Sequence, residues 1–292
     1  METFLQLAVN GLGRGAVFAL LALGFVIIYK STEVINFAHG SLVLFGGYLV
    51  VITQGSLGWV GSSLVGIVGA GLLGLVVERL LLSRSKLADP NSLALLTIGV
   101  DVIISEEIVR RLGVGIPFLG QAWDAKPIQV GGITLFRTHL VALGVAAVLI
   151  TAFYLAFKYS GWGVAMRAQA ENREAAALMG IRSRQVTATA WLVAGLLAGV
   201  AVLFLATQDF SGSGLSRGTH SIALAAFPAA ILGGLDSTAG AVVGGLVVGL
   251  VEALSAQYIS FDFSKSAVFL AMLVVLVVRP SGLFGTREST RV

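Results

Sequence analysis

Asp101 is the residue of this 292-residue chain whose setting most demands a chemical reason. It falls in the middle of an apolar run, Ser92–Ile108, where a carboxylate costs roughly 2.5–3.5 kcal/mol on insertion scales. Thr97 and Ser105 stand one helical turn to either side, so the three make a polar stripe that must face a bundle interior or a water-filled cavity. Such a stripe either ties helices together by hydrogen bonds or lines a passage. Asn36 and His39 open the next candidate helix downstream of the first apolar run. Asn36 is placed to cap it by accepting from free backbone N–H groups, and His39 falls on a neighbouring face. The pair either caps and packs or takes part in gating.

Other constellations carry less. Cysteine is absent, which removes thiolate metal sites, disulfides and cysteine nucleophiles together. His39, His139 and His220 are too scattered to suggest a metal cluster. Ser213 and His220 could form a nucleophile–base pair, but the Ser211-Gly-Ser-Gly loop offers no helix to fix them and no oxyanion arrangement. Gly24 to Lys30-Ser31 nearly meets the phosphate-loop pattern, yet Tyr29 replaces its second glycine and the stretch closes an apolar run. Glu106–Arg110 and Glu107–Arg111 are spaced as i,i+4 pairs on a solvated helix end. Glu252 falls near the end of a late apolar run, within reach of an interface.

The elements that must position these residues are membrane helices. Hydrophobic residues make up 57% of the chain and charged ones 12%, too few charges to cover a soluble globule of this size. Runs of about 20 apolar residues cross a bilayer. Leu5–Ile28, Gly40–Thr53, Leu57–Val77, Ser92–Ile108, His139–Phe157, Val186–Ala206, Ala239–Leu254 and Ser266–Val278 qualify or nearly so, and Gly40–Thr53 and Leu57–Val77 are joined by a tight Gly/Ser turn. Ser221–Gly234 is short and carries Pro228, which removes a helix hydrogen bond. It is either a short helix near a pathway or a packing element. The expected fold is an all-α polytopic membrane protein of about 8–9 transmembrane helices, one of them short or broken, in a single domain over residues 1–292.

Basic residues set the expected orientation. Lys158, Arg167, Arg173, Arg182 and Arg184 share one side with Arg79, Arg84 and Lys86 and with the tail residues Arg279, Arg287 and Arg291. That side is expected to be cytoplasmic, with the N-terminus outside and the C-terminus inside. The N-terminal residues lack a basic region and a cleavage site, and are expected to belong to the mature protein. The 37 glycines, many at small-xxx-small spacing as in Gly66/Ala70/Gly74, Gly240/Gly244 and Gly245/Gly249, predict close helix packing. A weak internal echo links Phe37-Ala-His-Gly-Ser-Leu-Val-Leu-Phe-Gly-Gly with Ser237-Thr-Ala-Gly-Ala-Val-Val-Gly-Gly.

The segment 158–185 is the most informative polar stretch. Glu174–Met179 is rich in helix formers, and Gly180 is placed to end the helix. A short amphipathic helix lying flat on the cytoplasmic surface is expected, fit either for a groove on a partner or for the lipid interface.

Glu174-Ala175-Ala176 followed by Gly180-Ile181 resembles the EAA-type coupling loop of ABC importer permeases. Ile35-Asn36-Phe37-Ala38-His39-Gly40 is similar to the signature of LivH-type permeases of the branched-chain amino acid ABC transporter family. Gly233-Gly234-Leu235-Asp236-Ser237, Gly240, Gly244-Gly245 and Glu252-Ala253-Leu254 resemble that family's C-terminal span, and Arg279-Pro280-Ser281-Gly282-Leu283-Phe284-Gly285 its closing stretch. The resemblance runs from about Gly11 to Gly285. It implies the ABC importer permease fold and no enzymatic activity in this chain. It implies a bacterial inner-membrane importer in which Arg173, Glu174, Ala175, Ala176, Gly180 and Ile181 meet partner subunits. Those partners would be a second homologous permease, two ATPases that bind the ATP, and an extracytoplasmic binding protein. Nothing points to nucleic acid, and no cofactor or metal is implied. Asn36, Phe37, His39, Gly40, Asp101 and Pro228 are the candidate signature and pathway residues. The implied solute is a branched-chain amino acid. Urea, a short amide or another small carboxylate is the alternative within the same class, and an ion-coupled transporter using Asp101 lies outside it.

Overall fold

The computed structural model describes residues 2–85, 89–113, 115–123, 126–130, 132–211 and 214–286. Ser213, Lys86, Arg287 and Arg291 lie outside the described residues. Helix α1 runs Glu2–Thr32, α2 His39–Val76, α3 Pro90–Leu112, α4 Arg137–Tyr159, α5 Gly161–Glu171 and α6 Arg173–Leu178. Then come α7 Ser183–Leu205, α8 Gln208–Ser211, α9 Arg217–Leu224, α10 Phe227–Gly233, α11 Thr238–Tyr258 and α12 Ser264–Val278. A two-stranded antiparallel hairpin, β1 Ile128–Val130 with β2 Ile133–Leu135, sits in the long polar connection before α4. The apolar-run reading had passed over it.

Helix α2 spans 38 residues, which would be about 57 Å if straight, nearly twice the hydrocarbon thickness. It is not straight. Gly58 takes φ 65° and ψ −177°, a left-handed conformation that costs glycine nothing, and the helix folds back on itself there. Val50 meets Gly66 and Leu42 meets Gly74 across the hairpin, so the two halves are antiparallel passes. A π-helical turn, Val77–Leu82, extends the second half.

Five stretches are long and apolar enough to cross a membrane: Phe4–Thr32, His39–Leu82, Arg137–Tyr159, Ser183–Leu205 and Thr238–Tyr258. The second holds both halves of α2. Counting α3, α12 and the α9–α10 pair as well, the described residues make nine passes between two faces of the bundle. The core sits on α1 and α7, whose apolar windows are mostly buried, whereas α4 and α12 turn apolar side chains outward as lipid requires.

Small residues fix the crossings. Helix α1 packs antiparallel on α11, where Gly249 lies on Gly15 and Gly245 on Ala19, with no room for a methyl group at either glycine. In lipid, van der Waals contact between closely approaching backbones replaces the hydrophobic drive of water. The two segments of the internal echo occupy different places. Helix α2 starts beside Gly24, inside the bundle; α11 starts beside the last turn of α1, where Lys30 Nζ donates to the Asp236 carbonyl at 2.8 Å.

Helices α5 and α6 define one face, the one expected from the sequence to be the coupling face. There Trp162 Nε1 donates to the Val186 carbonyl at 3.3 Å. The closing stretch is pinned nearby, with Leu283 N–H donating to Leu232 and Phe284 N–H to Gly233, both at 2.9 Å. The opposite face is closed by Trp123, which donates to Thr138 at 2.9 Å, stacks on Phe204 and meets Trp59 edge-on.

Candidate functional site

The chain leaves α1 at Thr32 and turns back into the bundle before α2 begins. This re-entrant segment is the Ile35–Gly40 signature. A backbone without helical partners, buried at this depth, must find its hydrogen bonds elsewhere. Thr97 of α3 supplies one: its Oγ1 accepts from Phe37 N–H at 3.0 Å, while its own proton goes to the Ala94 carbonyl of α3 at 2.7 Å, with the Ile35 carbonyl farther off at 3.4 Å. Asn36 Oδ1 accepts from Ala38 N–H at 3.0 Å. The expected cap is therefore corrected. Ala38 occupies the N-cap position, and Asn36 lies two residues earlier, where its side chain closes an Asx-turn.

Asp101 closes the helix start. Its Oδ1 accepts from Ser41 N–H at 3.1 Å, while His220 Nε2–H of α9 reaches its two carboxylate oxygens at 3.0 and 2.9 Å. The negative group stands against the positive end of the α2 dipole, and one carboxylate joins α2, α3 and α9. Gly40 is required here, because a methyl group would meet the His220 ring at 2.9 Å. Both side chains keep some exposure, 17% for His220 and 11% for Asp101. Of the predicted stripe, Thr97 and Asp101 face the signature, whereas Ser105 donates to Val102 in its own helix.

The next turn toward the opposite face carries a second link between the same helices. Arg217 of α9 holds Glu106 of α3 through two contacts of 2.5 Å. This corrects the expected Glu106–Arg110 pair, because Arg110 and Arg111 both bind Glu107 instead, at 2.8 and 2.6 Å. The tertiary partner displaces the local one.

His39 is fully buried, packed at a tilt against Phe25 with ring centroids 4.6 Å apart and pressed against Gly24, and neither ring nitrogen has a hydrogen-bond partner among the described residues. Phe25 continues to Phe227 at 5.5 Å, and Phe227 to Phe37 at 5.7 Å. The signature is thus wedged between a polar contact with α3 and an aromatic one with α10. Pro228 does not interrupt a helix as expected. The break lies between Leu224 and Phe227, and Pro228 occupies the first turn of α10, where its missing N–H is not needed.

Sequence reasoning missed two partnerships. They are the pairing of His220 with Asp101 and that of Arg14 in α1 with Glu252 in α11, the second an ion pair. Its charged groups lie 3.7 Å apart, and Arg14 also donates to the Phe210 carbonyl at 2.9 Å. Two opposite charges in different apolar runs are a signal that they meet.

The coupling segment is two helices, not one. Ser160 caps α5 by accepting from Gly163 N–H at 3.1 Å, and Asn172 caps α6 by accepting from Ala175 N–H at 2.9 Å. Gly180 takes φ 84°, with Ile181 N–H reaching the Ala176 carbonyl and Gly180 N–H the Ala177 carbonyl, both at 3.0 Å. This is the Schellman closure that its position predicts. Arg173, Glu174 and Ala175 face outward while Ala176 is buried. Arg167 binds the last carbonyls of α4, those of Phe157 and Lys158. Leu178 and Met179 are 89% and 84% exposed, an apolar tip at the end of α6.

The described residues thus form a polytopic helical bundle with a re-entrant signature, a pass broken between α9 and α10, and a two-helix element, α5 and α6, on its surface. The sequence pattern of the family described as "Branched-chain amino acid transport system / permease component" matches residues 7–278. The high-affinity branched-chain amino acid transport system permease protein LivH of Escherichia coli K12 is 30% identical over 309 residues, covering 99% of this chain and 98% of that one. The permease protein BraD of Pseudomonas aeruginosa, from a system of the same description, is 27% identical over 316 residues, with the same coverage. A probable LivH of Methanocaldococcus jannaschii is 28% identical, covering 91% of this chain and 88% of its own. In fold, the chain resembles PsaBC from Streptococcus pneumoniae, solved in complex with Fab, with a TM-score of 0.54 over 94% of this chain and 90% of that one at 18% identity. This chain belongs to the family of permease components of branched-chain amino acid transport systems.

Proposed function

We propose that the chain is the membrane permease subunit of an ATP-driven ABC importer, and that it passes branched-chain amino acids delivered by an extracytoplasmic binding protein. It pairs with a second homologous permease, binds two ATPases on its coupling face, and catalyses no reaction itself. That face is cytoplasmic in a bacterial inner membrane, and the C-terminus lies on the same side.

The observation that carries this reading is the α5–α6 lever. An apolar tip as exposed as Leu178 and Met179, outside the passes and rigidly capped at both ends, is built to fill a groove on another protein. Ala176 sets α6 against the body of the molecule, while Arg173 and Glu174 flank the tip. ATP-driven closure of the docked subunits pushes α6 and α5 and tilts the flanking passes α4 and α7. The Asp101–His220 link is the gate contact of the path. A zwitterion carries one group of each sign, so its ammonium group can take the place of His220 on the Asp101 carboxylate as the two part.

The test is uptake into proteoliposomes of the complex purified with its ATPases and binding protein. ATP-dependent accumulation of leucine, isoleucine or valine is expected. Accumulation driven by a proton or sodium gradient without ATP would assign the chain to ion-coupled transport. ATP-dependent uptake of urea or short amides in place of leucine would keep the class and replace the cargo.

A further inference from the structure

We infer that Gln169 is the positioning residue through which α5 and α6 act on the re-entrant signature. This rests on the importer reading and names the contact that carries its stroke. Three side chains of α5 make hydrogen bonds to other elements among the described residues. Trp162 reaches Val186 of α7 and Arg167 reaches the end of α4, both close to α5 along the chain. Gln169 does something different. Its Nε2 donates to the Ser31 carbonyl at 2.7 Å, across 138 positions of sequence, and both residues are buried.

The place it grips matters. Ser31 belongs to the last turn of α1, whose carbonyls have no partner within the helix. Two residues on, Glu33 takes φ 59°, a left-handed conformation that a non-glycine residue adopts only when its surroundings impose it. Glu33 N–H donates to the Tyr29 carbonyl at 2.6 Å, and Val34 N–H to Thr32 Oγ1 at 3.2 Å. The turn is therefore tightly specified, and it leads straight into Ile35–Gly40. From Asn172, the cap of α6, the connection runs through Gln169 to the end of α1, then through the turn at Glu33 to Ser41, Asp101 and His220. A shift of α5 that carries Gln169 must displace the signature or break this bond.

The other end of the amide argues against a purely structural role. Gln169 Oε1 is buried with no partner among the described residues, and a half-satisfied buried amide is a poor stabiliser. Leucine, of similar size, removes the bond and the orphaned oxygen together but leaves the Ser31 carbonyl unpaired, at some cost in stability, so the connection is cut and folded yield is measured alongside.

The experiment compares wild type and Gln169→Leu in the purified complex, reading leucine taken up per ATP hydrolysed. ATPase co-purification and the hydrolysis rate should be unchanged, while uptake per ATP falls at least about fivefold, the lower end of ordinary coupling between sites. The absence of cysteine allows a second test in a different variant. Ser31→Cys with Gln169→Cys should be uncoupled when reduced and regain uptake per ATP once a short bifunctional thiol reagent joins the two. Normal uptake per ATP in Gln169→Leu would overturn the inference, as would a cross-linked pair that stays uncoupled. A wild-type complex that takes up no branched-chain amino acid under ATP would overturn the importer reading itself, before any variant is scored.

Discussion

Asp101 holds three helices with one carboxylate, and its surroundings explain how a charge survives at that depth. Ser41 N–H and His220 supply hydrogen bonds, and hydrogen bonds to a charged group contribute about 1.5–3 kcal/mol each. Moving a two-state equilibrium from one side to the other takes about 5.5 kcal/mol, so a contact of this size holds the three helices together and is still within reach of an outside drive. Asp101→Asn keeps an acceptor for Ser41 and removes the charge. Uptake is expected to fall by about tenfold or more, the equivalent of one charge-assisted hydrogen bond, with unchanged membrane yield; wild-type uptake in this variant would reduce the pair to packing. His39 behaves differently, because it packs and makes no hydrogen bond among the described residues. His39→Ala should cost roughly 2–5 kcal/mol, as large-to-small core changes do, read as a lower melting temperature in detergent. Full stability together with lost uptake would move His39 from the core to the pathway.

Among the elements, the apolar runs and caps were the legible part. Each long run became a helix because periodicity does not matter where all faces meet lipid or protein, and Gly180 ended α6 where a left-handed residue was needed. Legibility failed where tertiary partners outcompete local ones. Glu106 left its own helix for Arg217, Asn36 yielded the cap position to Ala38, and the break expected at Pro228 lies just before it. None of these could be read from spacing, since the deciding group is more than 100 residues away in the first case and a backbone turn in the others. Helix α3 is less apolar than the other long passes because Asp101, Glu106 and Glu107 lie in it, yet Asp101 and Glu106 are its polar contacts with α2 and α9. The glycine crossings yield a prediction at this scale. Gly249→Leu places a branched side chain where Gly15 and the Gly11 carbonyl already lie. Overpacking costs typically 1–3 kcal/mol, so loss of folded protein on detergent size exclusion is expected, whereas Gly144→Leu, with open space around it, should leave the protein intact.

For the whole molecule, the proposed importer reading requires that energy reach the Asp101–His220 contact from outside the chain. On that reading the α5–α6 face receives the stroke, and the contact joining α2, α3 and α9 yields to it. The similarity to LivH and BraD extends over 99% of the chain, so the α5–α6 segment and Asp101 both lie within the region the family shares. The measurement that bears on this most directly is site-specific photo-crosslinking from positions 178 and 179 in native membranes, with the adduct identified by mass spectrometry. Adducts with a nucleotide-hydrolysing subunit, formed from position 178 and lost when Met179→Glu is added, and formed from position 179 and lost when Leu178→Glu is added, are the expected result. Adducts with lipid alone, in membranes that still accumulate leucine, would contradict it.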